Sequence, residues 1–332
     1  PDPVAAIDPA QGGSPQDYFN TVLYTGNGAT THAISGVGFQ PDWVWGKVRS
    51  KVSTHWLFDV VRGATQQMNT DTNHVESTQG TMLKTFDSDG FSMGNDNPGN
   101  ESGETFVAWN WKAGTAFSND ASSTSVGTID SAGSVSADTG FSIISYTGTG
   151  SNGTIAHGLG VAPEMLMVKN RSATDSWLVY HAKVASDAET DYLVLESTDD
   201  LADNATVWND TAPTSSVFSI GTAVDVNTNT ENYIAYCFAS VDGYSKFGTY
   251  TGNDNADGPF VYTGFRPAFV MIKDTTVAGN WIMYDSKRDN INFAYKKLAA
   301  NSNGAESTNA SLGNIDFLSN GFKIRDNSND SH

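Results

Sequence analysis

Tyr24 to Lys47 reads YTGNGATTHAISGVGFQPDWVWGK, and the pattern returns over Tyr146–Lys169 as YTGTGSNGTIAHGLGVAPEMLMVK and over Tyr250–Lys273 as YTGNDNADGPFVYTGFRPAFVMIK. Each copy runs Tyr-Thr-Gly, a polar turn, a short β-prone segment, Gly, Pro, an apolar run and Lys. A Trp-apolar pair follows each one: Trp56-Leu57, Trp177-Leu178 and Trp281-Ile282. Three matches in one order are the signature of an internal repeat.

Outward from these copies the chain divides into three units: 19–114, 140–243 and 244–332. Residues 1–18 read as an N-terminal arm. The Ser/Gly/Ala-rich stretch 115–139 reads as a linker or a long surface connection. Within the units, short apolar runs such as Trp43-Val44-Trp45 and Met165-Leu166-Met167 alternate as strands between turn residues. Unit 1 closes with Thr105–Trp111 and unit 2 with the similar run Tyr233–Phe238. Unit 3 shows no such run after Ile324. A β unit without its last core strand leaves an open edge. Either the sequence belongs to a longer chain, or a strand from a neighbouring chain completes the unit. The expected fold is all-β: tandem antiparallel sandwiches of jelly-roll or lectin-like type, three repeats with the third incomplete.

Thirty-seven acidic residues against 18 basic ones give a formal charge of −19, which repels phosphate backbones and argues against nucleic-acid binding. Hydrophobic content of 38% with 11% aromatics suits thin β layers built from few, large side chains. No segment has the ~20 apolar residues that cross a bilayer. The first residues lack a basic n-region and an apolar h-region, so no signal peptide is expected in them. Cys237, the single cysteine, reads as a small buried hydrophobe.

Trp43, Trp45, Trp109 and Trp111 invite a sugar-stacking reading. Across the repeat, however, they exchange with Met165, Met167, Phe269, Met271, Tyr236 and Phe238, as core positions do. Trp56, Trp177 and Trp281 are read as one indole anchoring each sandwich. Lys47, Lys169 and Lys273 are read as strand-end lysines reaching solvent. Asp59 with Arg62 and Asp285 with Arg288 are read as structural ion pairs, with His181 and Lys183 in that region of unit 2. Six scattered histidines (His32, His55, His74, His157, His181, His332) show no ligand spacing. Glu101 and Glu104 have the wrong spacing for a glycosidase pair on one strand face. The loops Asn95–Asn100, Asn253–Gly258 and Asp326–Asp330 offer oxygen ligands for structural calcium without the EF-hand register, and turn chemistry explains them as well. No catalytic or cofactor-binding residue is assigned, and no enzyme is expected.

The segments DYFNTVLYTGNG, GVGFQPDWVW, LFDVVRGA, FDSDGFSMG and AWNWKAG of unit 1, with GFRPAFVMIK, NWIMYDSKRD and DFLSNGFKI of unit 3, resemble a repeated uncharacterised domain of tail-fibre-like and other virion structural proteins of marine bacteriophages. The likeness covers most of residues 17–325. It implies a β-rich, non-enzymatic protein of the virion or extracellular space, akin to concanavalin-like lectin sandwiches. It further implies contact with other virion proteins and homo-oligomerisation, as a trimer if it is a fibre. The leading expectation is an adhesin touching host surface polysaccharide. A purely architectural tail or capsid-decoration part is the alternative, and a carbohydrate-active depolymerase a weaker one.

Overall fold

Alternation of large side chains with period two builds the framework, because successive residues of a strand face opposite sides of its sheet. In the computed structural model, which describes residues 4–311 and 313–327, four strand positions recur from unit to unit. The opening strand is Phe19–Thr25 in unit 1 and Phe141–Thr147 in unit 2, and the closing strand is Thr105–Trp111 and Asn232–Phe238. The inner strand is Trp43–Val48, Met165–Asn170 and Phe269–Ile272. The outer strand is Trp56–Asp59, Leu178–His181 and Ile282–Asp285. In units 1 and 2 the sheet order is opening, closing, inner, outer, antiparallel throughout. A smaller sheet covers one face in every unit, made of Gly90–Met93 and its neighbours in unit 1, Gly153–Ala156 with Val217–Ile220 in unit 2, and Gly321–Ile324 and its neighbours in unit 3. The fold is all-β and sandwich-like, as the repeat pattern predicts.

Each large sheet is apolar on both faces. Val44 turns into unit 1's own core with Trp56 and Phe58, while Trp43 and Trp45 turn the other way. Leu166 and Val168 against Met165 and Met167 repeat this in unit 2, and Val270 and Ile272 against Phe269 and Met271 repeat it in unit 3. The outward-turned sets meet in one central core that also takes Trp109, Tyr236, Trp177, Trp281 and Met283. The tryptophan positions that exchange with Met and Phe are therefore core, and the core they fill is shared by all three units. Cys237 is buried in unit 2's own core, and burial pushes its thiol up to about 12.

The stretch 115–139 is structured, contrary to the linker expectation. Thr115–Asn119 and Ser131–Ser136 are strands that extend unit 2's sheet past its opening strand. Between them Ala121–Thr124 forms one helical turn capped by Asp120. Its small residues serve close approach rather than flexibility. A Cβ on Gly133 would sit 1.8 Å from the Ile143 carbonyl oxygen, and the Ser131 hydroxyl donates to Ala156 O (3.0 Å). In the arm, Pro9–Gln11 and Pro15–Asp17 are 3-10 turns and Ile7 is buried.

Candidate functional site: three unit boundaries, one of them open

Strand pairing fixes the register of the repeat. Asp59 faces Trp43, His181 faces Met165 and Asp285 faces Phe269. Four residues upstream of these stand His55, Trp177 and Trp281. Trp56 therefore corresponds to Leu178 and Ile282, and its expected equivalence with Trp177 and Trp281 is off by one. A shift of one residue turns a side chain to the opposite face. Trp56 accordingly lies in unit 1's own core, donating to Pro98 O (3.1 Å). Its bulk is matched by Gly46 on the neighbouring strand, where a Cβ would lie 2.0 Å from the indole ring.

The corrected register exposes a ring of bonds between units. Trp177 Nε1–H donates to Asn69 O of unit 1 (2.9 Å), and Trp281 Nε1–H to Val194 O of unit 2 (2.9 Å). His55 Nε2–H donates to Ala299 O of unit 3 (3.0 Å). The imidazole can do this because its Nδ1 accepts from Trp45 Nε1–H (3.0 Å), which leaves the proton on Nε2. Burial, with the Lys47 charge adding to it, drives the His55 pKa down to about 3, so the ring is neutral.

Two boundaries carry the same charged network. Tyr236 of unit 2 donates its hydroxyl to Asp59 of unit 1 (2.7 Å), and Asp59 is paired with Arg62. Arg62 also donates to Leu57 O (3.2 Å) and reaches Glu76 (3.0 Å), which Arg171 of unit 2 holds by two bonds of 2.9 and 3.0 Å. Between units 1 and 3, Trp109 Nε1–H donates to Asp285 (3.1 Å), which is paired with Arg288. Arg288 donates to Met283 O (2.8 Å) and reaches Glu306 (3.1 Å), held by Arg49 at 2.7 and 2.9 Å. The Asp and Arg side chains of both pairs are fully buried. Burial opposes the Arg62 charge, but Asp59, Tyr236 and Glu76 outweigh it and hold the guanidinium pKa above its ordinary value.

The third boundary, between units 3 and 2, differs at every one of these positions. His181 replaces the aspartate and Val184 the arginine three residues on. Leu201 N–H donates to Thr275 O (3.1 Å) as Glu306 N–H does to Arg49 O (2.8 Å), so Leu201 and Thr275 replace the glutamate and the outer arginine. Nor do the described residues hold a closing strand there. Among the described residues Phe269–Ile272 pairs with the outer strand alone, whereas the inner strands of units 1 and 2 pair on both edges. A cavity of about 1070 Å³ lies along that edge, lined by Phe19, Trp111, Phe238, Phe247, Phe269 and Met271 among others. Phe269 and Met271 are half-buried where Trp43, Trp45, Met165 and Met167 are buried.

Of the remaining sequence candidates, Lys273 lines this cavity, as do Asn253 and Asp254 of the Asn253–Gly258 loop. Lys47 and Lys169 are buried rather than solvent-seeking, because carbonyls at the strand end take their ammonium groups. Lys47 donates to Val48 O (2.9 Å) and to Asn303 O of unit 3 (3.3 Å), and Lys169 to Asn170 O (2.7 Å). Burial draws both pKa values down to about 8. Lys273, half-buried, donates to Asp274 O (2.6 Å) and Thr198 O (3.3 Å). His32 bonds Asn100 Oδ1 (2.8 Å), and buried Asn100 in turn donates to Gly94 O (2.7 Å), so the Asn95–Asn100 loop is tied by turn contacts. Glu101 pairs with Lys51, and Asp257 of the Asn253–Gly258 loop with Lys323 (3.0 Å). Among the described residues no three His, Cys, Asp or Glu side chains are placed to hold a metal ion. Residues 328–330 of the third candidate loop, and His332, lie outside the described residues. The sequence reading missed Phe260 and Tyr262, exposed on the strand Phe260–Tyr262 just beyond the Asn253–Gly258 loop. Two aromatics on either side of Val261, beside a turn, were their only signal.

No curated protein and no solved structure matches the chain. A family model described as a domain of unknown function (DUF7483) matches residues 14–332, which takes in all three units, and the chain belongs to that family.

Proposed function

We propose that the chain is a non-enzymatic architectural component of a bacteriophage virion, a tail or capsid-decoration part whose work is cohesion with other virion proteins. The observation that carries this reading is the location of its aromatic and charged groups. Of the eight tryptophans, all but Trp111 are buried, and that one is half-buried. The buried Asp-Arg pairs are tied across unit boundaries by Tyr236 and Trp109 and by the Arg171–Glu76 and Arg49–Glu306 pairs. A sugar-binding platform needs exposed ring faces, and a glycosidase needs two facing carboxylates. The virion setting rests on the resemblance of the repeat to phage structural domains, and a homotrimer would follow if the part belongs to a fibre.

A second reading, the host-glycan adhesin, draws on Phe260 and Tyr262 beside the polar Asn253–Gly258 loop. The test is a binding isotherm of the purified protein against surface polysaccharide from the host, with reducing ends assayed in parallel. The architectural reading expects no saturable binding and no release, together with even antibody labelling along isolated particles. Saturable binding that Tyr262→Ala abolishes would replace it with the adhesin. Release of reducing ends would overturn both.

A further inference from the structure

We propose that the cavity at the third boundary is a binding site for an uncharged, planar aromatic molecule that carries an oxygen acceptor. The indole N–H of Trp43 and the hydroxyls of Thr139 and Tyr244 would hold the oxygen, and the aromatic wall would hold the ring. This inference goes beyond the architectural reading and does not depend on it.

Three observations carry it. The first is a set of buried polar atoms left without partners. Trp45, Trp56, Trp109, Trp177, Trp208 and Trp281 each donate their indole N–H to an acceptor of the protein. Trp43 is as deeply buried, and its N–H has no partner among the described residues. The hydroxyls of Tyr146, Tyr233 and Tyr236 likewise donate to protein oxygens. The buried hydroxyl oxygens of Tyr244 and Thr139 find no partner there. All three side chains line the cavity. A buried polar group without a partner is costly, so such atoms mark places that a further molecule can satisfy.

The second is that the three come together. Phe141 and Phe238 face each other in the strand register, and their rings stack with centres 4.8 Å apart. Trp43 packs on both, with ring centres 5.6 and 5.9 Å away. Thr139 stands two residues before Phe141, just outside the opening strand Phe141–Thr147. Tyr244 follows Phe238 on the turn Val241–Ser245, which Ser245 Oγ–H ties back to Ala239 O (2.9 Å). Ala239 N–H in turn donates to Gly140 O (2.7 Å). The three side chains therefore gather at one end of the same strand pair.

The third is the character of the wall. Trp111 lies 4.3 Å from Trp43 and Phe19 lies 4.8 Å from Trp111, ring centre to ring centre. Met165, Met167 and Met271 add thioethers to the same lining. Rings and thioethers gain more from contact with a further ring than its buried area alone provides. The gathered polar atoms offer one N–H and two hydroxyls and no charge. The head they take is therefore neutral, because a buried charge needs a charged partner. Of the charged side chains in the lining, Arg266 donates to Phe317 O, and Lys273 to Asp274 O and Thr198 O. A volume of about 1070 Å³ stands at the upper end of small-molecule sites.

The test titrates Nile red, a neutral planar dye with a ring carbonyl, into the 332-residue chain and reads its fluorescence. Pyrene, a planar hydrocarbon without an acceptor, is titrated alongside. Nile red should bind saturably, with one site per chain. Tyr244→Phe and Thr139→Val should each weaken it about 3–10-fold, the worth of one hydrogen bond, and leave pyrene within about twofold. Without dye, neither substitution should lower the melting temperature, because each removes a hydroxyl that has no partner to lose. The Trp43 indole proton resonance, assigned by its loss in Trp43→Phe, should move downfield as Nile red binds. Absence of saturable Nile red binding overturns the proposal, as does an unmoved indole resonance. Weakening of both dyes alike, or of neither, overturns it as well. So does a lowered melting temperature in both variants with dye binding unchanged, since the hydroxyls would then serve the fold alone. Glycan binding reads the functional proposal separately, so the failure of one leaves the other standing.

Discussion

Where unit 2 meets unit 1 and where unit 1 meets unit 3, an aromatic donor, a glutamate and an outer arginine form one network around a fully buried Asp-Arg pair. Where unit 3 meets unit 2, His181, Val184, Leu201 and Thr275 hold the matching positions. The difference shows what a buried charge requires here. Desolvating an ion pair is offset only when every lone pair and proton finds a partner. At the sealed boundaries the aspartate's last partner comes from a closing strand, as Tyr236 or Trp109. At the third boundary His181 stands in the matching position, so no aspartate is present there to be left short.

The sharpest way to break the comparison is to remove one aspartate. Asp59→Ala leaves Arg62 buried without its carboxylate and the Tyr236 O–H without its acceptor, and should destabilise the protein by about 3–5 kcal/mol. His181→Ala, at the open boundary, should cost less than about 1 kcal/mol. Urea unfolding midpoints measure both, and equal costs would mean the two kinds of boundary do not differ energetically. A smaller effect is expected from the ring of cross-unit bonds. Trp281→Phe keeps most of the packing but leaves Val194 O without its donor, a loss of about 1–3 kcal/mol by the same assay.

Lysines separate the boundaries by pH. Lys47 bridges units 1 and 3, and burial sets its pKa at about 8 against 10.5 for the ordinary side chain. Between those values the unfolded chain binds more protons than the folded one, so stability rises as pH goes from 8 towards 10.5. Below 8 both forms are protonated and the folded state carries the full cost of the buried charge. Lys169 titrates in the same window. Lys47→Met should therefore roughly halve the rise in melting temperature between pH 8 and 9.5, and an unchanged slope would show that Lys47 keeps its charge when folded. The smallest effect is reserved for the surface: Tyr262→Ala should move stability by no more than about 0.5 kcal/mol.

Much of this architecture is legible in the sequence, because the repeat exposes its own substitutions. The exchange of Trp43 with Met165 and Phe269 marks packing, and the i, i+3 spacing of Asp59 and Arg62 marks a pair. What stays hidden depends on partners from other units. Glu76 and Arg171 are 95 residues apart, and Arg49 and Glu306 are 257 apart, so no local pattern joins them. Trp56 misleads for a different reason. It falls one residue beyond the position of Trp177, and only strand pairing reveals that His55 takes the indole's part. Segment 115–139 misleads by composition, since small residues that permit close strand contact look like those that confer flexibility.

The ring of bonds that runs from unit 2 to unit 1, from unit 3 to unit 2 and from unit 1 to unit 3 also sets a timetable. During synthesis at roughly 5–20 residues per second, unit 1 leaves the ribosome before either neighbour exists. Its Trp43–Trp45 face then has nothing to pack against until Met165 and Met167 arrive. Its link from His55 waits longer still, for Ala299 near the far end of the chain. A ribosome stalled between units 2 and 3 would hold a chain whose Trp43 is already covered by Tyr236 of unit 2, while Trp109 and His55 still wait for Asp285 and Ala299 of unit 3.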